Sequence, residues 1–449
     1  MVREQLPLIY TRIPPAQPLH PERQISQKLS KRKKLIALLE GELNFHGENS
    51  SYASHDFHAF AAKFPPQLPR EFIRFLTKPG DVVLDPMMGS GTTLVEASLS
   101  GRIGIGFDID PLALRIGRAK TMNLDVDSFY ATGHHVIARA NRILQDRKKV
   151  EQFFSKTFDE QTIKFIDYWF LPETQRELIA LVIAIQEVPD EPSRRSLELI
   201  FSSIIITKSG GVSRARDLAH SRPHLDATKS PKSALEQFAA RFQRNFLKIA
   251  ELNAKNNLTF PIAADARRFP MANNVIDLIV TSPPYANAID YMRAHKFSLV
   301  WFGKSVSDLS RLRADYLGSE RVDQIDHNGL PPKPLAILDC LHERDRRKSA
   351  ILKKYFGEMK EVISEMYRVL RKNSAAIVVV GTSLMRGLDV QTHICLADIA
   401  AEVNFEVVGI AQRALDRNKR MMPARFGKSA DSPIEQRMHE EYVIGLFKG

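Results

Sequence analysis

The chain has 449 residues, and its hydrophobic fraction of 44% is enough to bury a sizeable core in each of two or three domains. The formal net charge of +12, from 64 Lys and Arg against 52 Asp and Glu, favours a polyanionic partner such as nucleic acid, although a solubilising surface gives the same balance. The cysteines form no CxxC pair, so we expect neither a structural zinc site nor a disulfide framework. No apolar run approaches the roughly 18 residues of a membrane span, so we expect a cytoplasmic protein without a membrane segment.

The first 45 residues of the sequence contain two different patterns. Prolines are frequent over 14–21, and the basic cluster KRKK at 31–34 precedes an apolar-periodic stretch over 35–43. We interpret residues 1–45 as a loose, basic N-terminal arm followed by a short helix. The basic cluster could contact nucleic-acid phosphates, although a solvated helix face is the more common use of such a cluster.

An alternation of strands and helices follows. Residues 81–85 have the short, β-branched pattern of a buried strand, and a glycine-containing turn at 86–93 leads into a helix that ends near residue 101. Residues 103–108 predict a second strand, and Asp110 followed by Pro111 predicts the N-cap and the first position of the next helix. Elements that alternate at this spacing predict a parallel sheet with right-handed crossovers.

The alternation stops between about residues 124 and 255, where the pattern is helical. We expect an inserted helical subdomain there, which divides the α/β domain into a first part, 46–123, and a second part, 256–449. A further insert is predicted within the second part at about 305–349.

The second part of the α/β domain contains the remaining strands. The sequence predicts them at 258–264, 275–280, 375–380, 405–410 and 442–447. The last two are not separated by a good helix, which favours an antiparallel pair. We therefore predict an α/β fold with a seven-stranded sheet that is parallel except for one antiparallel strand at its edge.

Two aspartates stand where successive strands end, beside a glycine turn. Asp85 ends the first strand and Asp108 the second, and the turn between them carries the sequence Gly89-Ser90-Gly91. This spacing fits neither the GxGxxG dinucleotide fingerprint nor a P-loop. A sulfonium compound with a free amino group would favour the first carboxylate, and the second is placed to accept hydrogen bonds from two ribose hydroxyls. Either aspartate alone could equally be an ordinary cap or turn residue.

The most specific signal is the tetrapeptide Ser282-Pro283-Pro284-Tyr285, directly after the fourth predicted strand. Two prolines fix the backbone and remove two N–H donors, which leaves the serine hydroxyl and the adjacent carbonyl oxygens as rigid acceptors. Such acceptors suit an exocyclic amine, and the tyrosine offers a face for a stacked base. A proline turn that merely ends a buried strand is the alternative, but its position after the two aspartate turns favours catalysis.

These segments resemble the motifs of the amino-methyltransferases that act on DNA, and of some that act on RNA. Residues 85–97, DPMMGSGTTLVEA, resemble their first motif, 107–111 their second, 264–267 their third and 282–285 their fourth. Residues 62–68, AKFPPQL, resemble the motif that precedes the first. The resemblance implies a Rossmann-like, class I methyltransferase sheet, S-adenosylmethionine as cofactor and no metal. It also implies that Asp265 binds the cofactor's adenine amino group and that Phe64 and Pro65 lie against the cofactor.

The residues that we expect to act fall into two sets. The catalytic set is Ser282, Pro283, Pro284 and Tyr285. The cofactor-binding set is Phe64, Pro65, Asp85, Pro86, Gly89, Ser90, Gly91, Thr92, Thr93, Asp108, Asp265 and Ala266.

The reaction expected from the resemblance is methylation of an exocyclic amine in a base that has left the duplex. Methylation of cytosine C5 would require a thiolate after a proline, and neither Cys340 nor Cys395 follows one. Serine at position 282 favours the N4 amine of cytosine, whereas members that act on the N6 amine of adenine more often carry Asp or Asn there. An RNA base amino-methyltransferase and a non-catalytic nucleic-acid-binding protein remain as alternatives.

The predicted partner is double-stranded DNA, with a cognate restriction endonuclease as a second candidate partner. The helical insert at 124–255 is the first candidate for target recognition and the insert at 305–349 the second. Three basic clusters could line a DNA groove: one in the helical insert, one after the catalytic tetrapeptide and one between the last two strands, which also includes Arg413. The residues expected to bind DNA are Arg214, Arg216, Arg222, Arg293, Lys296, Arg417 and Arg420.

Overall fold

A computed structural model describes residues 25, 26, 28–207, 211–216, 218, 223–252, 258–286, 290–319, 329–381, 383–415 and 440–449. The strands of these residues are β1 (Val82–Asp85), β2 (Ile103–Asp108), β3 (Ala215–Arg216), β4 (His224–Leu225), β5 (Thr259–Ala263), β6 (Ile276–Thr281), β7 (Leu370–Gly381), β8 (Leu384–Met385), β9 (Leu388–Asp389), β10 (Glu406–Ala414) and β11 (Glu440–Lys448).

The helices of the described residues surround one large sheet. They are α1 (Lys31–Glu40), α2 (Gln67–Leu76), α3 (Thr92–Leu99), α4 (Pro111–Thr121), α5 (Val126–Gln145), α6 (Arg147–Thr157), α7 (Glu160–Trp169), α8 (Pro172–Gln186), α9 (Glu191–Ile205), α10 (Ala234–Leu252), α11 (Tyr291–Leu299), α12 (Val306–Ala314), α13 (Pro332–Arg344), α14 (Arg346–Val369) and α15 (Thr392–Glu402). Asp110 caps α4 by accepting hydrogen bonds from the amides of Leu112 and Ala113, as the sequence predicts.

The main sheet has seven strands in the order β10-β11-β7-β6-β1-β2-β5. Neighbours from β7 to β5 are parallel, so the strand ends at Asp85, Asp108 and Thr281 lie at one edge of the sheet. This is the Rossmann-like α/β fold, with a seven-stranded, mostly parallel sheet and inserted helices, that the sequence predicts. In open α/β sheets, ligands bind at this carboxyl edge.

The position of the antiparallel strand differs from the prediction. β11 is antiparallel to both β7 and β10 and lies between them, so the strand at the edge is β10, which runs parallel to the rest. The physical reason is burial. Residues 443–448 of β11 are all buried, whereas β10 is mostly part-exposed and suits an edge.

The short helix predicted after the loose N-terminal arm is present as α1, but it is packed in the core rather than peripheral, and residues 1–24 lie outside the described residues. Leu35, Leu38 and Leu39 of α1 are buried in a core cluster with residues of the sheet and of α2. Gly445 of β11 lets the helix approach, because a Cβ there would collide with the Leu39 side chain. Residues 31–43 are therefore part of the folded core on this face of the sheet.

The helical insert has its own core, which meets the layer on one face of the sheet through α4. This core is formed by α5 to α10 together with α4, α11, α12 and the short helix Val300–Phe302. Phe297 of α11 lies 4.9 Å from the Trp169 ring and 5.0 Å from the Phe165 ring, measured between centroids. The helix that follows the predicted catalytic tetrapeptide is thus anchored in the insert. None of the helices within the described ranges is long and apolar enough to span a membrane.

Candidate active site

The turn after β1 is shaped by two glycines with positive φ. Gly89 has φ +45° and Gly91 has φ +73°, and Gly91 is the N-cap of α3. A Cβ on Gly91 would lie 3.3 Å from the backbone of Gly117, and one on Gly89 would lie 3.1 Å from the Phe60 ring. The turn therefore packs too closely for larger residues, and its amide groups stand at a helix N-terminus that favours negative charge.

Asp85 is a buried carboxylate that only neutral groups contact. Its side chain accepts hydrogen bonds from the Thr281 hydroxyl at 2.7 Å and from the Met87 amide at 3.2 Å. Burial raises the pKa of Asp85 to about 6. Among the described side chains no cation forms an ion pair with it, so a cationic ligand such as a sulfonium or an ammonium group would compensate its charge. The pocket therefore fits the cofactor that the sequence predicts.

Asp108 contacts the glycine turn from the next strand. Its carboxylate accepts hydrogen bonds from the amides of Gly89 at 2.9 Å and Asp110 at 2.8 Å. Burial, and then the charge of Asp110, raise the pKa of Asp108 to about 7. Asp110 in turn is hydrogen-bonded to His295 of α11. The second carboxylate is thus held at the turn and linked to the helix after the catalytic tetrapeptide.

The structure brings the tetrapeptide and the cofactor turn together. Thr281, the last residue of β6, is hydrogen-bonded to Asp85, and Ser282 follows it directly. Thr93 of α3 also donates to the Val280 carbonyl at 3.1 Å. Ser282 is part-buried, and an acceptor at this position can approach a ligand that is bound against Asp85.

Tyr285 is less accessible than the sequence suggests. Its ring is buried, and its hydroxyl donates to Glu441 of β11 at 2.9 Å. Burial and the negative charge of Glu441 raise the pKa of the phenol well above its ordinary value. The stacking face expected for a base is therefore covered in this structure.

Arg413 is placed differently from the prediction that its cluster contacts DNA. It is 2% exposed, forms an ion pair with Glu441 and donates to the Leu43 carbonyl at 2.9 Å. A buried arginine that completes a Tyr–Glu–Arg network supports the predicted catalytic tetrapeptide from inside the fold. The sequence offers no signal for Glu441, because its contacts depend on the register that puts it opposite Arg413 of β10 and Gly381 of β7.

The segment before the glycine turn holds the predicted Phe64 in the core and brings a second aromatic ring to the turn. Phe64 is buried in the core cluster shared with α1 and α2, and Pro65 is buried beside it. The ring that lies over Gly89 is Phe60, which stacks on Tyr291 with centroids 5.3 Å apart. This aromatic pair joins the cofactor turn to α11.

Asp265 lies beyond β5 and is engaged by an arginine. Arg267 donates to both of its oxygens, at 3.0 and 2.7 Å, and also to Glu358 at 2.9 Å. Partial burial raises the pKa of Asp265, but the hydrogen bonds from Arg267 outweigh this and leave the pKa below its ordinary value. An adenine amino group at this position would share those oxygens with the guanidinium.

The other predicted cofactor residues lie at or beside the turn, and most are buried. The Ser90 and Thr92 hydroxyls are 3.0 Å apart and hydrogen-bonded to each other. Pro86, Gly91 and Thr93 are buried, Gly89 is part-buried, and Ala266 is buried against the sheet beyond Asp265.

The basic residues predicted in the helical insert have partners within the chain. Arg214 donates to the Tyr168 carbonyl at the end of α7, which is a structural role. Arg216 forms an ion pair with Asp226, but its side chain is 64% exposed and can still reach a phosphate. The predicted contacts Arg222, Arg417 and Arg420 lie outside the described residues.

The basic residues after the tetrapeptide are also paired. Arg293 forms an ion pair with Asp290 at 2.8 Å, and the Lys296 ammonium lies 5.1 Å from the centroid of the Phe165 ring. Burial lowers the pKa of Lys296. These side chains hold α11 in place, and DNA would have to compete for Arg293.

The chain is similar in sequence to known DNA methyltransferases. Residues 22–118 match a family described as DNA methylase. The Type II methyltransferase M.MvaI of Kocuria varians is 23% identical over 417 residues, which cover 84% of this chain and 87% of that protein. The Type II methyltransferase M.AvaI of Nostoc sp. is 22% identical over 85% of each. The Type II methyltransferase M.MjaII of Methanocaldococcus jannaschii is 24% identical over 61% of this chain and 67% of that protein.

Proposed function

We propose that this chain, which belongs to the family of S-adenosylmethionine-dependent DNA amino-methyltransferases, methylates the N4 amine of cytosine in double-stranded DNA. The single observation that carries the proposal is the hydrogen bond between Thr281 and Asp85, which puts Ser282 beside the cofactor pocket. When bound, S-adenosylmethionine supplies an electrophilic methyl group on a sulfonium.

The tetrapeptide provides acceptors without donors. The Ser282 hydroxyl and the neighbouring carbonyl oxygens accept the two N–H groups of the amine, because Pro283 and Pro284 have no amide hydrogen. These hydrogen bonds orient the nitrogen so that its lone pair points away from the ring and toward the methyl group. Transfer from a bound sulfonium to this nitrogen would exchange the S–C bond for an N–C bond, and the proton that the amine then loses would pass to water directly or through the Ser282 hydroxyl. No covalent enzyme intermediate is needed.

Asp85 holds the cationic end of the cofactor in this mechanism. Its carboxylate is fixed by neutral donors, so its charge remains available to a sulfonium or ammonium group. Asp108 accepts a hydrogen bond from the Gly89 amide, and its remaining acceptor positions would serve the ribose hydroxyls. Asp85 would thus hold the cofactor at its sulfonium end and Asp108 at its ribose. Holding a reactant in one fixed orientation lowers the barrier to transfer.

The target base must leave the duplex before its amine can reach these acceptors. Unstacking costs a few kcal/mol, and stacking on an aromatic ring returns about 1–3 kcal/mol. We propose that Tyr285 supplies that ring once DNA binding opens the cover formed with Glu441.

Target choice is assigned to the helical insert. The insert is joined to the catalytic segment through α11, so a contact made by the insert can set the position of the tetrapeptide. Arg216 is the most exposed of the described basic candidates, and it would contribute a phosphate contact. Since the relatives are named Type II methyltransferases, a restriction endonuclease with the same recognition sequence is the partner that we propose.

The test is to incubate the protein with mixed-sequence DNA and methyl-labelled S-adenosylmethionine and to identify the modified nucleoside by mass spectrometry. We expect label in N4-methylcytosine with the wild type and none with Ser282→Ala, whose cofactor affinity should be unchanged. Label in N6-methyladenine would contradict the choice of base while keeping the family. Label in RNA but not in DNA would contradict the choice of polymer.

A further inference from the structure

Lys120, in the last turn of α4, is a buried cation beneath the cofactor turn. Its side chain is 2% exposed, and its Nζ donates to the Ser90 carbonyl at 2.8 Å. Ser90 lies between the two glycines of the turn. Lys120 is therefore the side chain that fixes the orientation of the peptide group between Ser90 and Gly91.

Two other buried lysines show how this protein satisfies an ammonium group elsewhere. Lys448 donates to three oxygens, on Asn274, Tyr367 and Leu370, at 2.6–2.8 Å. Lys354 donates to the Ser319 hydroxyl at 2.8 Å and lies 3.8 Å from the Glu358 carboxylate. Within the described part of the chain, Lys120 has the Ser90 carbonyl as its one acceptor for three donors. Lys120 therefore has fewer partners for its ammonium group than Lys448 or Lys354.

The charges around Lys120 do not compensate it. Burial, and then the nearby charge of Lys63, lower the pKa of Lys120 well below its ordinary value, and Asp56 opposes this shift only in part. Asp56 is already paired with Arg244 and Lys248. A buried group that lacks a counter-charge is costly, and such groups concentrate at functional sites. A ligand anion bound at the glycine turn would supply the counter-charge.

The cofactor brings such an anion. Its amino-acid end carries an ammonium and a carboxylate, and Asp85 on one side of the turn suits only the cationic part. The amide groups at the N-terminus of α3 favour the carboxylate. The amino-acid end of the cofactor thus offers an ammonium group for the carboxylate of Asp85 and a carboxylate for the ammonium group of Lys120.

We propose that Lys120 is a positioning residue for the carboxylate of S-adenosylmethionine. It holds the Ser90 carbonyl beside the N-terminus of α3, and the carboxylate of the ligand compensates its charge. Lys120 does not touch the cofactor. The inference rests on the cofactor assignment. It adds that Lys120 positions the carboxylate of the cofactor.

The test compares S-adenosylmethionine with decarboxylated S-adenosylmethionine, which has the same sulfonium, ribose and adenine but no carboxylate. Dissociation constants are measured by titration calorimetry on the wild type, Lys120→Met and Lys120→Gln. We expect Lys120→Met to weaken S-adenosylmethionine about tenfold or more and to change the decarboxylated ligand by less than about twofold. Lys120→Gln keeps a donor for the Ser90 carbonyl without the charge, so an intermediate loss is expected.

Lys448→Met is the matched control, because Lys448 is also buried and donates to carbonyl oxygens but lies at the other end of the sheet. It should leave both dissociation constants unchanged. Equal losses for both ligands in Lys120→Met would show mere support of the turn and overturn the proposal, as would an unchanged affinity.

The comparison of the two ligands on the wild-type protein does not depend on whether a variant folds. There, discrimination against the decarboxylated ligand by about threefold or less would also overturn the proposal. A wild type that binds neither ligand would overturn the cofactor assignment together with it.

Discussion

Asp85 and Asp108 are the residues on which cofactor binding depends in this account. Both carboxylates receive hydrogen bonds from neutral donors, and each stands at the end of a parallel strand. Their placement was predictable, because strand ends and glycine turns are visible in the sequence. Their raised pKa values were not, because these result from burial by segments distant along the chain.

We predict that cofactor affinity depends on pH through these two groups. A cationic ligand prefers ionised carboxylates, so affinity should be full above the pKa of Asp108, about 7, and should fall as the pH drops through it and through that of Asp85, about 6. Titration calorimetry between about pH 5 and 8 measures this. Asp85→Asn should bind weakly throughout and lose the lower step. A wild-type affinity that stays constant on acidification would contradict the assignment.

Reasoning from single residues in the sequence does not predict the contacts among Tyr285, Glu441 and Arg413. The tyrosine was identified from its position after two prolines, but its hydroxyl partner comes from the last strand. Arg413 belonged to a basic cluster in the sequence, and its side chain turns inward to pair with Glu441. A basic run does not reveal which of its members is buried, since that depends on strand order.

At the scale of elements, the strand ends and the helix caps were the best-determined features. The Asp110 cap and the strand before the tetrapeptide follow from local sequence. The place of β11 does not, because both final strands are apolar and only their burial in the sheet separates the inner from the edge strand. The role of α1 was also missed, because its basic residues dominate the local pattern while Leu35 and Leu38 form the contact.

We predict that α1 is needed for stability. Leu38→Ala removes a side chain that is 0% exposed, and such changes in a core cost about 2–5 kcal/mol in free energy of unfolding. Urea denaturation measures the loss. Lys33→Ala, on the exposed face of the same helix, should change stability by less than about 0.5 kcal/mol. A Leu38→Ala loss as small as the Lys33→Ala loss would restore the view of residues 31–43 as a peripheral arm.

At the scale of the whole molecule, the α/β domain and the helical insert share α11. The insert was recognisable from the break in the strand–helix alternation. That the helix after the tetrapeptide belongs to the core of the insert could not be predicted, since about 40–45 residues of α/β sequence separate Phe297 and Trp301 from the end of the insert. This shared helix, together with the His295–Asp110 contact, connects the cofactor pocket, the catalytic segment and the insert.

We predict that loosening this helix slows turnover without weakening cofactor binding. Phe297→Ala should lower kcat on DNA, because the cavity it leaves lets α11 and the tetrapeptide shift, while the dissociation constant of S-adenosylmethionine stays the same. Phe129→Ala makes a similar cavity in the insert core against Phe242 and is the control. If both variants lower kcat equally, the cause is general destabilisation, and α11 has no specific role in turnover.

The most direct test of the central claim is a crystal structure with S-adenosylhomocysteine and a duplex that contains the mapped target base. The account predicts the ligand's sulfur beside Asp85 and the cytosine N4 about 2.6–3.2 Å from the Ser282 hydroxyl, with the amine facing that sulfur. A base whose amine is held by other residues, with Ser282 more than about 6 Å away, would contradict it.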